Sequence, residues 1–285
     1  MVFLCGNPRR PSVTVRVVPG VPNEWKRCVL QRIVTGDRRS VLTVRRHARR
    51  APTLRRVSAS ADATLPDPAL PEHLAPAGFV DSDSPEVRAF AARAAGAATD
   101  PVEVASRLFE AVRDEIWYDP HHLSTDPADY RASAVATAPN NWCVPKAVLL
   151  TAAARARGIP ARLGFADVRN HLTTPRLRER MGSDVFVFHG YTDLHVEGRW
   201  VKATPAFNAE LCARFGVSPI PFDGRSDALM HEFSGDGSRY MEYVHHRGVF
   251  TDLPLDLILT TFDQFYGRGR MTGGTQGAEP DTFVR

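Results

Sequence analysis

The sequence predicts an α+β fold, in which helices occupy the first half and an antiparallel β-sheet follows. Three predicted helices come before residue 158, and three β runs follow at 161–168, 185–198 and 199–205. Consecutive strands joined by short turns pair antiparallel, whereas a nucleotide-binding fold would alternate strands with crossover helices. No glycine-rich phosphate loop precedes a helix in the sequence, so nucleotide binding has no support.

The first two helices are predicted from their N-terminal caps. The dipeptides Ser-Pro at 84–85 and Asp-Pro at 100–101 each supply a capping side chain and a proline at the first helical position. The first helix is expected to end at Gly96. The second continues with apolar residues at helical spacing and is expected to run to about Trp117.

The third helix begins close to a cysteine. In "NNWCVPKAVLLTAAARARGIPAR" (140–162), a helix predicted from about Pro145 to Arg157 is apolar on nearly all sides, which is typical of a helix inside a domain. A thiol at a helix start lies at the positive end of the helix dipole, beside N–H groups that favour thiolate. Free cysteine is also among the most buried residue types, so position alone leaves Cys143 as either a nucleophile or a core thiol.

A histidine inside an apolar β run is the candidate base for that thiol. In "VFVFHGY" (185–191), alternation would place His189 on the face of Val185 and Val187, opposite Phe188. A cysteine at a helix start that faces a histidine on a core strand is the minimal pair of nucleophile and base.

The remaining segments carry weaker signals. Gly198 is expected to join the last two β runs into a hairpin. Residues 169–184 are expected to form a loop, and the segments 215–233 and 238–250 to be loop-rich with short elements. A final helix is predicted from apolar residues spaced three or four apart, which are Leu255, Ile258, Leu259, Phe262 and Phe265.

Three segments of the chain resemble the transglutaminase-like superfamily. The segment 140–162 is similar to its catalytic segment, where a cysteine opens a long helix that closes in an "RA-x-GIPAR" turn. "HGYTDLHVEGRWVKATPAF" (189–207) is similar to its second motif, a strand that starts at the catalytic histidine and returns through "GRWV" to a segment that usually reads Asp-Pro. "LFEAVRDEIWYDP" (108–120) is similar to the helix and aromatic segment that precede the cysteine, and the resemblance spans about residues 85–208.

The resemblance implies a papain-like cysteine fold, with the cysteine helix packed against an antiparallel sheet that holds the histidine. It assigns Cys143 as the nucleophile and His189 as the general base. The third catalytic position falls on Thr204, where the family usually has aspartate, and a hydroxyl can accept the imidazole N–H bond but carries no charge. Asn208 is the alternative if the chain turns back towards the histidine, because an amide oxygen also orients histidine. Asp193 lies four residues along the same strand, ~13 Å from His189.

Two classes of function are compatible with these residues. In the first, a thiol-dependent acyl-transfer enzyme forms a thioester at Cys143 with an amide substrate, and His189 protonates the leaving amine. Water would complete a hydrolysis, as in a cysteine peptidase or amidase, and a second amine would complete a transglutaminase-type transfer. We favour hydrolysis because no second domain is visible to present an acyl acceptor. In the second class, the chain is a non-catalytic binding or scaffold domain whose third catalytic position has decayed to Thr204.

No cofactor and no metal are expected. The histidines other than His189 match no recognised zinc spacing. They include His121, His122, His171, His195, His231, His245 and His246. The expected partner is a protein, a peptide or a small amide that serves as substrate, and the oligomeric state stays open.

Charge divides the chain into unequal parts. Residues 1–60 carry 14 Lys and Arg against 2 acidic residues, while the whole chain has a net charge of +4. This basic segment is interpreted as a disordered or non-native N-terminal extension, ahead of a transglutaminase-like domain over 61–266 and a flexible tail over 267–285. Nucleic-acid binding is expected only if the basic segment belongs to the native protein.

The sequence also bears on the compartment. No stretch approaches ~18 consecutive apolar residues, and the N-terminus lacks the features of a signal peptide. The four cysteines are too few and too scattered for a disulfide framework. These features predict a soluble cytoplasmic protein with reduced thiols and no membrane partner.

Overall fold

A computed structural model of the chain describes residues 70–121, 123–171, 174–230 and 241–271. The helices are α1 (Pro85–Ala95), α2 (Pro101–Glu115), α3 (Ala132–Val135), α4 (Cys143–Ala156), α5 (Pro175–Met181), α6 (Ala209–Arg214) and α7 (Leu255–Tyr266), with a 3-10 helix at Pro127–Tyr130. The strands are β1 (Trp117–Tyr118), β2 (Asn140–Asn141), β3 (Ala161–Asn170), β4 (Val185–Val196), β5 (Arg199–Ala203) and β6 (Met241–Phe250). The extension predicted at 1–60 and most of the predicted C-terminal tail lie outside the described residues, and the limits of the domain at 61–266 stay a prediction.

A four-stranded antiparallel sheet supports the cysteine helix. The strand order is β5-β4-β3-β6. α4 packs on β4 and β3, while α1, α2 and α3 pack around its other sides. Every residue of α4 from Cys143 to Arg155 is buried, as the apolar sequence of this helix predicts. The α+β class is therefore confirmed, with the helix that starts at Cys143 packed against an antiparallel sheet.

The predicted N-caps of α1 and α2 are present. The Ser84 hydroxyl accepts the Val87 N–H at 3.3 Å, and the Asp100 carboxylate accepts the Val102 N–H at 3.0 Å. α1 ends before Gly96, which has the positive φ of 57° that glycine tolerates best. Both helices therefore begin where their Ser-Pro and Asp-Pro signals predict.

α2 ends at Glu115, two residues before the predicted end at Trp117. Trp117 and Tyr118 instead form β1, which pairs in parallel with Asn140 and Asn141 of β2. This short ladder ties the end of α2 to the residues that precede the cysteine helix. Because the partners of Trp117 and Tyr118 lie far along the chain, the helical periodicity of α2 does not predict this pairing.

The predicted hairpin between β4 and β5 is confirmed. Its turn consists of Glu197 and Gly198, which have φ values of 50° and 78°. A two-residue turn with positive φ at both positions matches the twist of the paired strands. Glycine provides one of these two conformations without strain.

Two segments, one predicted as a loop and one as loop-rich with short elements, contain more regular structure than expected. Residues 241–250 form β6, an edge strand whose pairing with β3 is interrupted by two register shifts. These shifts break the alternation of apolar residues by which a strand is recognised in sequence. The prediction of a loop over 169–184 is also wrong in part, because α5 begins there with a Thr174 cap and Pro175 at its first position. That signal is the same one that predicts α1 and α2.

None of the helices within residues 70–121, 123–171, 174–230 and 241–271 combines the length and the apolar content that a crossing of the bilayer requires.

Candidate active site

Cys143 is the first residue of α4, two positions before the predicted start of this helix at Pro145. Proline fits here because the first N–H groups of a helix have no intrahelical partner to lose. β4 approaches the start of α4 closely, since a Cβ on Gly190 would lie 3.0 Å from the Val144 Cα. Glycine next to His189 therefore allows the cysteine to reach the strand that carries the histidine.

Burial determines the protonation of the thiol. Cys143 is only 7% exposed, and this burial raises the pKa of its thiol to about 11. The backbone N–H groups of Gly190, Val144 and Cys143 act in the opposite direction and are outweighed. The thiolate-favouring effect expected at a helix start is thus present, but an enclosed environment overrides it.

His189 lies on β4 at the point where β5 has left the sheet. β5 pairs with β4 only over Thr192–Val196, so among the described strands none pairs with this edge of β4 beside His189. Burial lowers the pKa of His189 to about 4, and its Nε2 atom has no hydrogen-bond partner among the described residues. At pH 7 both the imidazole and the Cys143 thiol are therefore neutral.

Thr204 follows β5 and is fully buried. Its N–H donates to the Ala228 carbonyl at 2.9 Å, but its hydroxyl oxygen makes no hydrogen bond of ordinary geometry within the described part of the chain. Tyr243 lies beside it: burial raises the pKa of Tyr243, and the Met230 N–H and the Thr204 hydroxyl lower it.

The Tyr243 ring also packs edge-on against the His189 ring, with centroids 6.5 Å apart. Tyr243 belongs to β6, so its place beside Thr204 and His189 was missed together with that strand.

Cys143 and His189 line the same cavity, which has a volume of about 30 Å³. This volume holds ~two water molecules. Most of the walls are apolar, and the lining residues that the structure describes include no Asp, Glu, Lys or Arg. The other walls are Tyr118, Pro120, Leu123, Trp142, Leu177, Phe186, Val187, Phe262, Tyr266 and Met271.

Comparison with known proteins identifies the fold around this cavity. Residues 88–205 match the family model of the transglutaminase-like superfamily, a stretch that includes Cys143, His189 and Thr204. This stretch of the chain is therefore similar to the transglutaminase-like superfamily. The superfamily match supports a thiol-dependent enzyme family.

The other comparisons add little to the family match. A candidate cysteine protease of Cytophaga hutchinsonii, known from a crystal structure, is similar at 17% identity with a TM-score of 0.37. The similarity covers 49% of this chain and 42% of that chain, so this chain spans about two fifths of that protein. No curated protein is significantly similar to the sequence.

Asn208, which lies just beyond the residues that match the family model, is committed to the end of α2. Its Oδ1 accepts the Tyr118 N–H at 2.7 Å, and its Nδ2 donates to the carbonyls of Arg113 and Ile116. These bonds use the amide, so the structure disfavours Asn208 as the residue that orients His189. The hydroxyl of Thr204, the first choice from the sequence, has no hydrogen bond of ordinary geometry within the described residues and lies beside Tyr243.

The sequence analysis did not identify a buried ionisable side chain close to Cys143. Lys146, one turn after Cys143, is fully buried and donates from Nζ to the carbonyls of Arg113 and Ile116. Burial lowers the pKa of Lys146 well below its usual value. A lysine inside the otherwise apolar "CVPKAVLL" was the available signal.

Asp193 is also committed elsewhere, because Arg162 donates to its carboxylate at 3.1 Å. As for metal sites, the described residues bring no three His, Cys, Asp or Glu side chains together in an arrangement suited to a metal ion.

Proposed function

We propose that the chain is a thiol-dependent acyl-transfer enzyme that acts on an amide bond. Cys143 is the nucleophile, His189 is the general base, and Thr204 orients the imidazole. The observation that carries this proposal is the shared cavity, in which a thiol at the start of a buried helix meets an imidazole on the neighbouring strand. The superfamily match over the same residues supports it.

The reaction proceeds through a thioester. His189 takes the Cys143 proton as the sulfur attacks the carbonyl carbon, and the carbonyl oxygen becomes an oxyanion that accepts bonds from free N–H groups at the start of α4. Collapse of this intermediate breaks the C–N bond, and the imidazolium gives its proton to the departing amine. A water molecule activated by His189 then attacks the thioester, which releases a carboxylic acid and restores the thiol. A second amine in place of water would give transfer.

The neutral resting state determines when the proton moves. With a thiol pKa of about 11 and an imidazole pKa of about 4, an ion pair is not the resting form at pH 7. Proton transfer from Cys143 to His189 therefore accompanies the attack on the carbonyl, as general base catalysis allows.

The walls of the cavity favour one class of acyl group. A charged group would lose its hydration against apolar walls such as Leu177, Phe186 and Phe262 without gaining an ionic partner. The substrate is thus a protein, peptide or small amide whose acyl side is uncharged and apolar. Anilides of short aliphatic acids are the first substrates to try, because a cavity of about 30 Å³ is too small for an aromatic ring.

The pH dependence of Cys143 alkylation tests the proposal. Iodoacetamide is reacted with the protein between pH 4 and 9, and mass spectrometry gives a rate for each cysteine. The rate at Cys143 should rise as His189 loses its proton near pH 4 and stay level to pH 9, because only the neutral imidazole accepts the thiol proton. In His189→Ala the alkylation rate at Cys143 over this pH range should be lower by roughly 10²-fold or more.

Cys212 provides a matched control within the same molecule. It is also buried, and burial likewise raises the pKa of its thiol to about 11, but its charged neighbours are Arg113, Asp114 and Lys146. Cys212 should stay unreactive below pH 9 in both proteins. Equal reactivity of the two cysteines, or no effect of His189→Ala, would refute the proposed pair.

Two observations favour a second candidate, a non-catalytic binding domain. The cavity is small, and the third position lacks the charge that an aspartate would supply. If Cys143 fails to react with iodoacetamide at any pH up to 9 in the folded protein, this second function is the better description.

A further inference from the structure

The backbone of β4 is irregular immediately before His189. Phe188 has a φ of 56°, a left-handed conformation that residues other than glycine seldom adopt. Its cause lies in the pairing with β3, where Ala166 faces His189 and Val168 faces Phe186, so that two residues of β4 face one residue of β3. This arrangement is a β-bulge, which redirects neighbouring side chains. It also breaks the alternation predicted for residues 185–191.

The residue of β3 that faces the bulge is Asp167, and its carboxylate holds the strained peptide. Oδ1 accepts the Phe188 N–H at 3.1 Å. Arg247 of β6 donates to the same carboxylate from Nε and Nη2, both at 2.8 Å, and its guanidinium lies 4.9 Å from the centre of the Phe188 ring. Asp167 is buried and Arg247 is partly exposed. Asp167, Phe188 and Arg247 together are called the bulge clamp below.

The bulge also shapes the cavity. Phe186 and Val187, which lie just before Phe188, form part of its wall beside Cys143 and His189. A β4 without the bulge would pair with β3 one residue out of register upstream of His189. Such a shift moves side chains to the opposite face of the sheet, so Phe186 and Val187 would no longer form the same wall of the cavity.

We infer that Asp167 is a positioning residue for His189, acting through the bulge and not by contact with the substrate. The inference rests on the proposed function, because it concerns the base of that reaction. Removal of the carboxylate takes away the acceptor of the Phe188 N–H, and a left-handed phenylalanine persists only when its surroundings hold it. The imidazole then loses its fixed orientation towards Cys143.

The full chain tests this inference through the same alkylation of Cys143 by iodoacetamide from pH 4 to 9. Asp167→Ala should lower the His189-dependent rate at pH 7 by about tenfold or more. Asp167→Asn should retain most of the rate, because its amide oxygen can still accept the Phe188 N–H. If Asp167 had only a structural role, Asp167→Ala would lower the thermal stability of the protein but keep the His189-dependent part of the pH profile.

Asp193→Ala is the matched control. Asp193 is likewise a buried aspartate of the sheet held by an arginine, but its arginine is Arg162 and it lies away from the bulge. This variant should change the rate at Cys143 by less than about twofold.

Each outcome decides the inference. A wild-type rate in Asp167→Ala overturns it and leaves the proposed function intact, and an equal loss in Asp193→Ala overturns it as well. A wild-type protein without any His189-dependent rate overturns both.

If Asp167→Ala does not fold, Arg247→Gln loosens the bulge clamp from its exposed side. We expect this variant to lower the alkylation rate at Cys143 by about threefold. An unchanged rate in Arg247→Gln overturns the inference.

Discussion

The resemblance to the transglutaminase-like superfamily assigns Thr204 to a position where that family usually has aspartate. An aspartate there would add a negative charge that raises the pKa of His189 and stabilises its protonated form. The Thr204 hydroxyl adds no charge, and burial lowers the pKa of His189 to about 4. The substitution therefore favours a neutral pair of Cys143 and His189 over an ion pair.

Thr204→Val tests whether the hydroxyl orients the imidazole. We expect the His189-dependent alkylation of Cys143 to slow by about tenfold, because valine offers no acceptor. The free energy of unfolding should change by less than ~1 kcal/mol, since the hydroxyl has no hydrogen bond of ordinary geometry to lose. Urea denaturation measures this second quantity.

Thr192→Val is the matched control for this prediction. The Thr192 hydroxyl on β4 is also fully buried, and it donates to the Ala147 carbonyl at 3.0 Å. Its loss should cost about 1–3 kcal/mol and leave the rate at Cys143 unchanged. If both variants slow alkylation equally, the Thr204 hydroxyl has no orienting role.

At the level of elements, α7 covers the cavity and binds the part of β4 that β5 does not pair with. The open edge of β4 presents the Val187 N–H and the Val185 carbonyl, and the Tyr266 hydroxyl binds both, at 2.8 Å and 3.0 Å. Tyr266 and Phe262 also form part of the cavity wall. The final helix was predicted from its apolar spacing, but the surface that it covers was not.

Tyr266→Phe should loosen this cover. The substitution leaves the Val187 N–H and the Val185 carbonyl without their partner, which should cost about 1–3 kcal/mol of unfolding free energy. Because α7 then holds less firmly over the cavity, a bulky maleimide should label Cys143 faster than in the wild type. Mass spectrometry of the labelled peptide measures the rate.

Tyr130→Phe separates loss of stability from opening of the cavity. The Tyr130 hydroxyl is bonded to the Ser124 carbonyl at 2.7 Å, and Tyr130 is absent from the cavity wall. This variant should lose similar stability without faster labelling of Cys143. A labelling rate in Tyr266→Phe no higher than in Tyr130→Phe would contradict a covering role for α7.

For the whole molecule, the buried imidazole makes stability depend on pH. The usual pKa of histidine is 6.5, and burial lowers that of His189 to about 4 in the folded state. The unfolded chain therefore binds more protons than the folded chain between these values, so stability is lost as the pH falls from about 6.5 to 4. The expected loss from this residue is about 3 kcal/mol.

His189→Gln should remove this contribution. Between pH 7 and pH 4 the wild type should lose about 3 kcal/mol more unfolding free energy than the variant, because glutamine binds no proton. Urea denaturation at the two pH values gives the difference. An equal loss in both proteins would mean that His189 is not buried in its neutral form.

Local signals in the sequence determined the parts of the molecule that depend on near neighbours along the chain. Caps and prolines placed α1 and α2, continuous apolarity predicted the burial of α4, and Gly198 predicted the hairpin. The positions of Cys143 and His189, at a helix start and on a core strand, follow from the same signals. Such features are readable because capping, turn formation and periodicity act within a few residues.

Only the tertiary structure decided the features that depend on residues far apart in the chain. β6 is recognised by its pairing with β3, and the left-handed Phe188 by its bond to Asp167. The neutral state of Cys143 and His189 likewise follows from burial by several elements, and no local pattern reports how much water those elements exclude. The sequence by itself determined which residues are present for chemistry, and the packing of distant segments decided their protonation, their orientation and the cavity that they share.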